Sequence, residues 1–173
     1  GQKLFGENYV QELTEKQSQL PADIKWHFIG HLQSNKVKYL APFVYLIHGV
    51  DSEKLLTEIN KQGKRNNRTI NCLLQVHIAK EETKFGFDET ELMELVGRLK
   101  ENPSSFDHVC ICGLMGMASF TDNPEVVEEE FRTLSLVFDR LKSITTSNIN
   151  FSVLSMGMSS DYRAAIAQGS NMV

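Results

Sequence analysis

Hydrogen-bonding side chains follow short apolar runs at several points in this chain, at positions where the strands of a sheet would end. The stretch WHFIGHLQSNK is the clearest case, because its apolar run stops at a glycine and His31, Ser34 and Asn35 come next. In parallel α/β folds, ligands bind beyond the carboxyl ends of the strands. The neutral hydrogen-bonding residues at such strand ends do not form a charged acid–base pair, so the pattern favours holding a polar ligand over hydrolysing one. They are Asn8, Ser34, Asn35, Ser155, Ser159 and Ser160.

A second stretch, SMGMSSD, ends a predicted strand near the other end of the chain. Gly157 allows a tight turn and a close approach of a ligand, because it has no side chain. Ser159, Ser160 or Asp161 is predicted to open a helix, and the first amides of a helix lack internal partners. Such a turn favours phosphate. An ordinary helix cap in a strand–helix loop is the alternative interpretation.

The other reactive residue types give weaker indications. Three further histidines are predicted within strands or at a strand end, where packing explains them: His27, His48 and His77. Cys72, Cys110 and Cys112 lie in apolar runs and are interpreted as small buried hydrophobic residues. Cys110 and Cys112 are two residues apart, so a strand would point both to one face. The loop KEETKFG is interpreted as a solvated loop that could form part of the rim of a site.

The sequence contains no zinc-ligand spacing, Walker A motif, dinucleotide fingerprint or nucleophile elbow. Its 173 residues, of which 41% are hydrophobic and 23% charged, are typical of one globular domain, here residues 1–173. The net charge of −4 argues against a nucleic-acid groove. No apolar run approaches the roughly 20 residues of a membrane span. We therefore expect a cytoplasmic protein without a nucleic-acid or membrane partner.

Strand-like and helix-like segments alternate about seven times without a hairpin, which is typical of a parallel α/β fold. Helices are predicted from about residue 9 to 19, 34 to 40, 52 to 62, 88 to 101, 124 to 143 and 159 to 168. Seven strands, the last being the terminal SNMV, exceed the number in small open sheets. A (β/α)8 TIM barrel needs eight strands and at least about 200 residues. We expect such a barrel, truncated before strand 1 and within strand 8, with an open doubly wound sheet as the alternative.

The segments FGENYVQE, WHFIGHLQSNK, HGVDS, KFG, GLMGMA and SMGMSSDY follow one another as in the YggS-like pyridoxal phosphate homeostasis proteins. The chain resembles this family, and its bacterial members in particular, along essentially its whole length. The family is similar in fold to the N-terminal barrel of alanine racemase. The resemblance implies a barrel that binds pyridoxal 5′-phosphate (PLP) to buffer or deliver it, without established catalytic turnover.

The resemblance also implies which residues form the site. Asn8 is expected beside the cofactor ring, and Ser155, Gly157, Met158 and Ser159 at the cofactor and its phosphate. The expected mouth residues that shape the pocket are His31, Ser34, Asn35 and Met115. The expected partners are PLP and PLP-dependent apo-enzymes, and the expected oligomeric state is a monomer.

In the family, the lysine that forms an aldimine with PLP ends the first strand. The resemblance places that lysine upstream of Gly1, and an Arg-Ile/Val-Gly segment that completes the phosphate site beyond Val173. Lys36 is interpreted as a surface or rim residue. We therefore expect residues 1–173 alone to bind PLP weakly or not at all. A longer chain that also contains the lysine segment and the Arg-Ile/Val-Gly segment is expected to bind it.

Two other functions compete with PLP homeostasis. A racemase-like PLP enzyme would need a second base, which in that family a further domain and a partner subunit supply. We expect no such domain within residues 1–173, which argues against this alternative. A barrel that binds another phosphorylated metabolite would show affinity for sugar phosphates without the absorbance of an aldimine.

Overall fold

The computed structural model describes residues 1–79 and 85–173, in which apolar runs form strands and amphipathic segments form helices. The strands are Leu4–Glu7 (β1), Lys25–Phe28 (β2), Leu46–Val50 (β3), Ile70–Gln75 (β4), Val109–Gly116 (β5) and Ile149–Met156 (β6). The helices are Val10–Gln19 (α1), Val37–Leu40 (α2), Glu53–Arg65 (α3), Glu89–Glu101 (α4), Pro124–Leu141 (α5) and Tyr162–Ala167 (α6). Short 3-10 helices cover Ser34–Lys36 and Pro103–Phe106. Most of the predicted rim loop KEETKFG, from Lys80 to Lys84, lies outside the described residues.

The sheet is parallel throughout, and the order of its strands is their order in the chain, from β1 to β6. A doubly wound sheet reverses its order at a switch point, so that alternative was wrong. One hydrophobic cluster joins one face of strands β2 to β6 to all six helices. Helices on a single face are typical of a (β/α)8 barrel. In the described ranges, no helix is long and apolar enough to cross a membrane.

The opposite face of the sheet is concave. His48 on β3 and Ser155 on β6 are three strands apart, which is roughly 14 Å along a flat sheet. The Ser155 hydroxyl oxygen nevertheless lies 3.4 Å from the Nδ1 atom of His48. Only a strongly curled sheet brings these atoms together, and Leu46, Leu73 and Met115 fill the concave side. The barrel-type fold predicted from the sequence is thus confirmed.

Two strand predictions were too long. β4 ends at Gln75, and His77 lies beyond it, because the loop residue Phe87 returns to the strand end. The Phe87 N–H donates to the Gln75 carbonyl, and the His77 N–H donates to the Phe87 carbonyl. The terminal SNMV segment contributes a single parallel bridge, between Met172 and Ser155, in place of a full strand.

Asp88 opens α4 through a capping box. Its carboxylate accepts a 2.8 Å hydrogen bond from the Glu91 N–H, and the Glu91 carboxylate accepts one of 3.1 Å from the Asp88 N–H. Replacing Asp88 with alanine is expected to lower the free energy of unfolding by about 1 kcal/mol, because the Glu91 N–H loses its acceptor and the capping box is broken. Urea unfolding measures this loss. Thr90→Ala, at an exposed position in the same helix turn, is the control, and equal losses in both variants would contradict the prediction.

Candidate functional site

The nine predicted site residues lie at the carboxyl edge of the sheet or on the concave face just below it. They follow or end four strands: Asn8 after β1; His31, Ser34 and Asn35 after β2; Met115 near the end of β5; Ser155 near the end of β6, and Gly157, Met158 and Ser159 after it. The structure therefore divides them into two groups. We refer to those after β1 and β2 as the first group and to those on β5 and β6 as the second group.

The first group surrounds the end of β2. Gly30 packs so closely on the end of β1 that a Cβ atom there would lie 2.2 Å from the carbonyl oxygen of Asn8. The ring of His31 stacks on Phe85, with centroids 4.4 Å apart, and its Nδ1 atom lies 3.3 Å from a carboxylate oxygen of Asp51. Asn8 and His31 border the same open cleft, which has a volume of about 860 Å³.

Ser34 and Asn35 face a neighbouring cleft of about 700 Å³ between the loops that follow β2 and β3. They belong to the short 3-10 helix that also contains Lys36. Lys36 is exposed at the rim of the first cleft, and its amine lies 5.8 Å from the ring centre of Tyr39. Lys36 therefore lies in a helix beyond β2 and not at the end of the strand itself.

The second group forms a continuous surface from the concave face to the mouth. Met115 and Ser155 are paired in register on neighbouring strands, and both are buried. Gly157 then turns the chain with a φ of +100°, which favours glycine. A Cβ atom at Gly157 would lie 2.6 Å from the Cβ of Ala165, so the turn packs directly on α6. Met158, by contrast, is exposed.

The turn after Gly157 is longer than predicted. α6 begins at Tyr162 instead of near Ser159, because Asp161 closes a local turn. Its carboxylate accepts a 2.6 Å hydrogen bond from the Met158 N–H, and its own N–H donates to the Met158 carbonyl at 3.1 Å. Ser159 and Ser160 are exposed in this turn, and no described residue accepts a hydrogen bond from their amides.

A hydrogen-bonded chain of His27, His48 and Ser155 crosses the concave face beneath the mouth. The Nδ1 atom of His27 lies 3.0 Å from the Nε2 atom of His48, and the Ser155 hydroxyl contacts the other side of the His48 ring. Burial, followed by the neighbouring His27, lowers the pKa of His48 to about 4. Burial, followed by the charge of Lys25, lowers the pKa of His27. Both rings are therefore neutral at pH 7.

From the sequence, His27 and His48 were interpreted as packing residues, and their hydrogen-bonded arrangement with Ser155 was not predicted. Alternation offered one clue, because the two neighbours of His27 in sequence, Trp26 and Phe28, face the helices, so His27 faces the concave side. The pair formed by His31 and Asp51 was also missed. Its clue was the position of both residues directly beyond the ends of adjacent strands.

The concave face contains a buried nitrogen atom whose hydrogen-bonding capacity is not satisfied by the residues that the structure describes. Within residues 1–79 and 85–173, the Nε2 atom of His27 is buried and has no hydrogen-bond partner. Buried polar groups are normally hydrogen-bonded, so such an atom indicates an interaction that these residues do not supply. No cluster of three potential metal ligands occurs in the same part of the chain. The donors offered at the mouth and on the concave face below it are thus amides, hydroxyls and the neutral imidazoles of His27 and His48, which suit a phosphorylated organic ligand.

Comparison with protein families gives a match along the whole chain. The family model described as the alanine racemase N-terminal domain matches residues 1–173. A pyridoxal phosphate homeostasis protein of Aquifex aeolicus is 41% identical, in a match that covers 100% of this chain and 74% of the relative. A protein of the same name from Haemophilus influenzae is 38% identical and is matched over 72% of its length, again along 100% of this chain.

Solved structures agree with this match. PipY of Synechococcus elongatus with PLP bound has a TM-score of 0.84 and 32% identity, with 99% of this chain and 78% of PipY covered. Alanine racemase of Streptomyces lavendulae has a TM-score of 0.75 at 13% identity, with 100% of this chain and 44% of the racemase covered. At that low identity, the racemase shows a shared fold alone.

Proposed function

The chain belongs to the family of pyridoxal phosphate homeostasis proteins, and we propose that it binds PLP at the carboxyl edge of its barrel to buffer or deliver the cofactor. The turn from Gly157 to Ser160 is the observation that carries this proposal. It presents two hydroxyls and two amides that no described residue engages. The relatives named for PLP homeostasis, and PipY with PLP bound, support the choice of ligand.

PLP fits the residues that are present. Its phosphate would be held by the amides and hydroxyls of Ser159 and Ser160, since anions bind well to groups of backbone N–H donors. Gly157 lets the turn pack directly on α6, because it has no side chain to meet Ala165. When bound, PLP supplies an aldehyde that reacts with amines, and the protein supplies binding and orientation.

We propose that His48 orients Ser155 for the phosphate. The neutral chain of His27, His48 and Ser155 has two arrangements of its protons. In one of them, the Nδ1–H of His48 donates to the Ser155 oxygen, and the hydroxyl proton of Ser155 is then free to donate to a ligand. Because both rings are neutral, their contribution is directional and adds no positive charge.

The first group would complete the site on the side of the cofactor ring. We propose that Asn8 lies beside the ring and that four residues shape the mouth: His31, Ser34, Asn35 and Met115. Asn8 and His31 border the first cleft, and Ser34 and Asn35 border the second, which supports this assignment. The pairing of Met115 with Ser155 on neighbouring strands supports the place of Met115. Together with Ser155, Gly157, Met158 and Ser159, these residues constitute the proposed site.

An absorbance titration with PLP tests the proposal. It is run on the 173-residue chain and on a version extended at both ends by the matching segments of the Aquifex aeolicus relative. We expect the extended version to develop a band at roughly 410–430 nm, where PLP joined to a lysine amine absorbs. Borohydride reduction and mass mapping then identify the lysine, which is expected upstream of Gly1.

The outcomes separate the proposals about the ligand from those about the lysine. A specific adduct on the 173-residue chain would show that the reacting lysine lies between Gly1 and Val173. The absence of an adduct in both versions would overturn the PLP proposal. In that case, retained binding of a sugar phosphate would favour the barrel that binds another phosphorylated metabolite.

We propose a carrier without a catalytic cycle of its own, acting alone as a monomer and passing PLP to apo-enzymes. The pair of His31 and Asp51 favours the second candidate, a racemase-like enzyme, because a histidine beside a carboxylate is a common general base. Incorporation of deuterium at the α-carbon of alanine distinguishes the two functions. A carrier shows no incorporation above that of free PLP, whereas an enzyme shows incorporation that His31→Gln abolishes.

A further inference from the structure

Cys110 and Cys112 form a dithiol on the concave side of β5, in the amino-terminal half of that strand. Their sulfur atoms lie 3.8 Å apart, and each side chain is partly exposed. Cys110 is the second residue of the strand, and Met115 follows it by five residues, which is about 16 Å along a strand. Cys110 is therefore near the opposite end of the strand from the mouth, and Cys112 packs against the concave cluster that contains Met115. The PLP proposal gives neither thiol a role.

A β-bulge accounts for the short distance between the sulfur atoms. Alternate residues of a regular strand are about 6.6 Å apart, but the register of β5 shifts at Cys112 against both neighbouring strands. Against β4, Ile111 and Gly113 pair with consecutive residues, so Cys112 is the extra residue of the bulge. Bulges bend a strand and change the direction of a side chain. Here the bulge is at the cysteine whose thiol points at its neighbour.

The two thiols are chemically different. The Cys112 sulfur lies 3.6 Å from the carbonyl oxygen of Cys110 and 3.8 Å from the Cys110 sulfur. When its proton points at the Cys110 sulfur, this hydrogen bond lowers the pKa of Cys110 to about 7. The same interaction, followed by burial, raises the pKa of Cys112. Cys110 is thus partly thiolate at neutral pH, and the thiolate is the reactive form of cysteine. Cys72 is fully buried, and burial raises its pKa, so it is the unreactive thiol of the chain.

We propose that Cys110 and Cys112 form a reversible intramolecular disulfide when a hydroperoxide oxidises the protein. The Cys110 thiolate attacks a peroxide oxygen, the O–O bond breaks, and a sulfenic acid forms as hydroxide leaves. The sulfur of Cys112 then loses its proton and attacks the sulfur of Cys110, and water leaves as the S–S bond forms. Two electrons pass from the sulfur atoms to hydrogen peroxide, which becomes two molecules of water. This inference is independent of the proposed PLP function.

The geometry requires only a small movement. A disulfide bond is about 2.05 Å long, so the sulfur atoms must approach by about 1.8 Å from their present positions. Rotation of the two side chains and the bent backbone at the bulge supply this approach. Cys72 is on β4 and faces the helices, where its buried position keeps it from competing as the second thiol.

Mass spectrometry after peroxide treatment tests the proposal. The protein is exposed to hydrogen peroxide, alkylated under denaturing conditions and digested with trypsin. Both cysteines of the dithiol fall in the fragment Glu101–Arg132, and Cys72 falls in Thr69–Lys80. We expect Glu101–Arg132 to lose two hydrogen atoms and to resist alkylation, and dithiothreitol to restore two alkylation sites. Thr69–Lys80 is the internal control and is alkylated in every sample.

The variant Cys112→Ser separates the two steps. It retains Cys110 but has no resolving thiol, so we expect a sulfenic acid on Cys110 that dimedone traps. Three outcomes would overturn the proposal. The first is full alkylation of Glu101–Arg132 under conditions that oxidise glutathione in the same tube. The second is a bond that involves Cys72, and the third is a disulfide that joins two chains.

Discussion

Replacing Gly157 with alanine is expected to weaken PLP binding by at least about tenfold, which corresponds to about 1.4 kcal/mol. The new Cβ atom would lie 2.6 Å from the Cβ of Ala165 and 3.2 Å from the Cα of Tyr162. The turn would therefore have to move away from α6, and the amides of Ser159 and Ser160 would move with it. An absorbance titration with PLP on the version extended at both ends measures the change.

Gly169 provides a matched control for this substitution. It lies just after the other end of α6 with a similar φ of +96°, but a Cβ atom there would meet only the Ser135 hydroxyl, at 3.5 Å. Gly169→Ala thus introduces the backbone strain, about 1 to 2 kcal/mol, without the overlap. We expect it to lower stability and to leave PLP affinity unchanged. Equal PLP affinities for Gly157→Ala and Gly169→Ala would show that the turn does not hold the phosphate.

Acid is expected to destabilise the protein through its buried histidines. The folded state lowers the pKa of His48 from 6.5 to about 4, so the unfolded chain binds more protons between these values. The stability that neutral His48 contributes is complete above about pH 6.5 and is lost as the pH falls towards 4. The full loss is about 3 kcal/mol. His27, whose pKa burial also lowers, adds a loss of the same sign.

Urea unfolding at pH 7.5 and pH 4.5 measures this dependence. We expect the free energy of unfolding to fall by more than about 2 kcal/mol in the protein itself. In His48→Gln the fall should be much smaller, because the titrating ring is gone. Thr90→Ala is the control, since it changes an exposed residue without a titratable group, and its fall should match that of the unchanged protein. If the free energy of unfolding of His48→Gln falls as much as that of the unchanged protein, the pH dependence does not come from the buried histidines.

Much of the fold was readable from the residues. The helices were predicted within a few residues, because Ser52 and Asp88 cap α3 and α4 and Pro124 begins α5, as local rules of helix ends require. The end of β4 and the start of α6 were predicted wrongly, because each depends on hydrogen bonds to residues outside that strand or helix. Phe87 pairs with the end of β4, and Asp161 closes its turn with Met158 before α6 begins.

The sequence by itself determined the alternation of strands and helices, the parallel sheet and the two polar stretches at its carboxyl edge. Hydrophobic periodicity and turn chemistry are local properties, and a reader of the chain can recognise them segment by segment. The resemblance to PLP homeostasis proteins rested on the same stretches in the same order.

Only the tertiary structure decided which groups meet. Ser155 contacts His48, 107 positions away in the chain, because the sheet curls by an amount that no single strand encodes. The sulfur atoms of Cys110 and Cys112 approach each other at a bulge that exists only relative to β4 and β6. The neutral state of the buried histidines follows from the same closure, since burial by the assembled sheet is the main cause of their lowered pKa values.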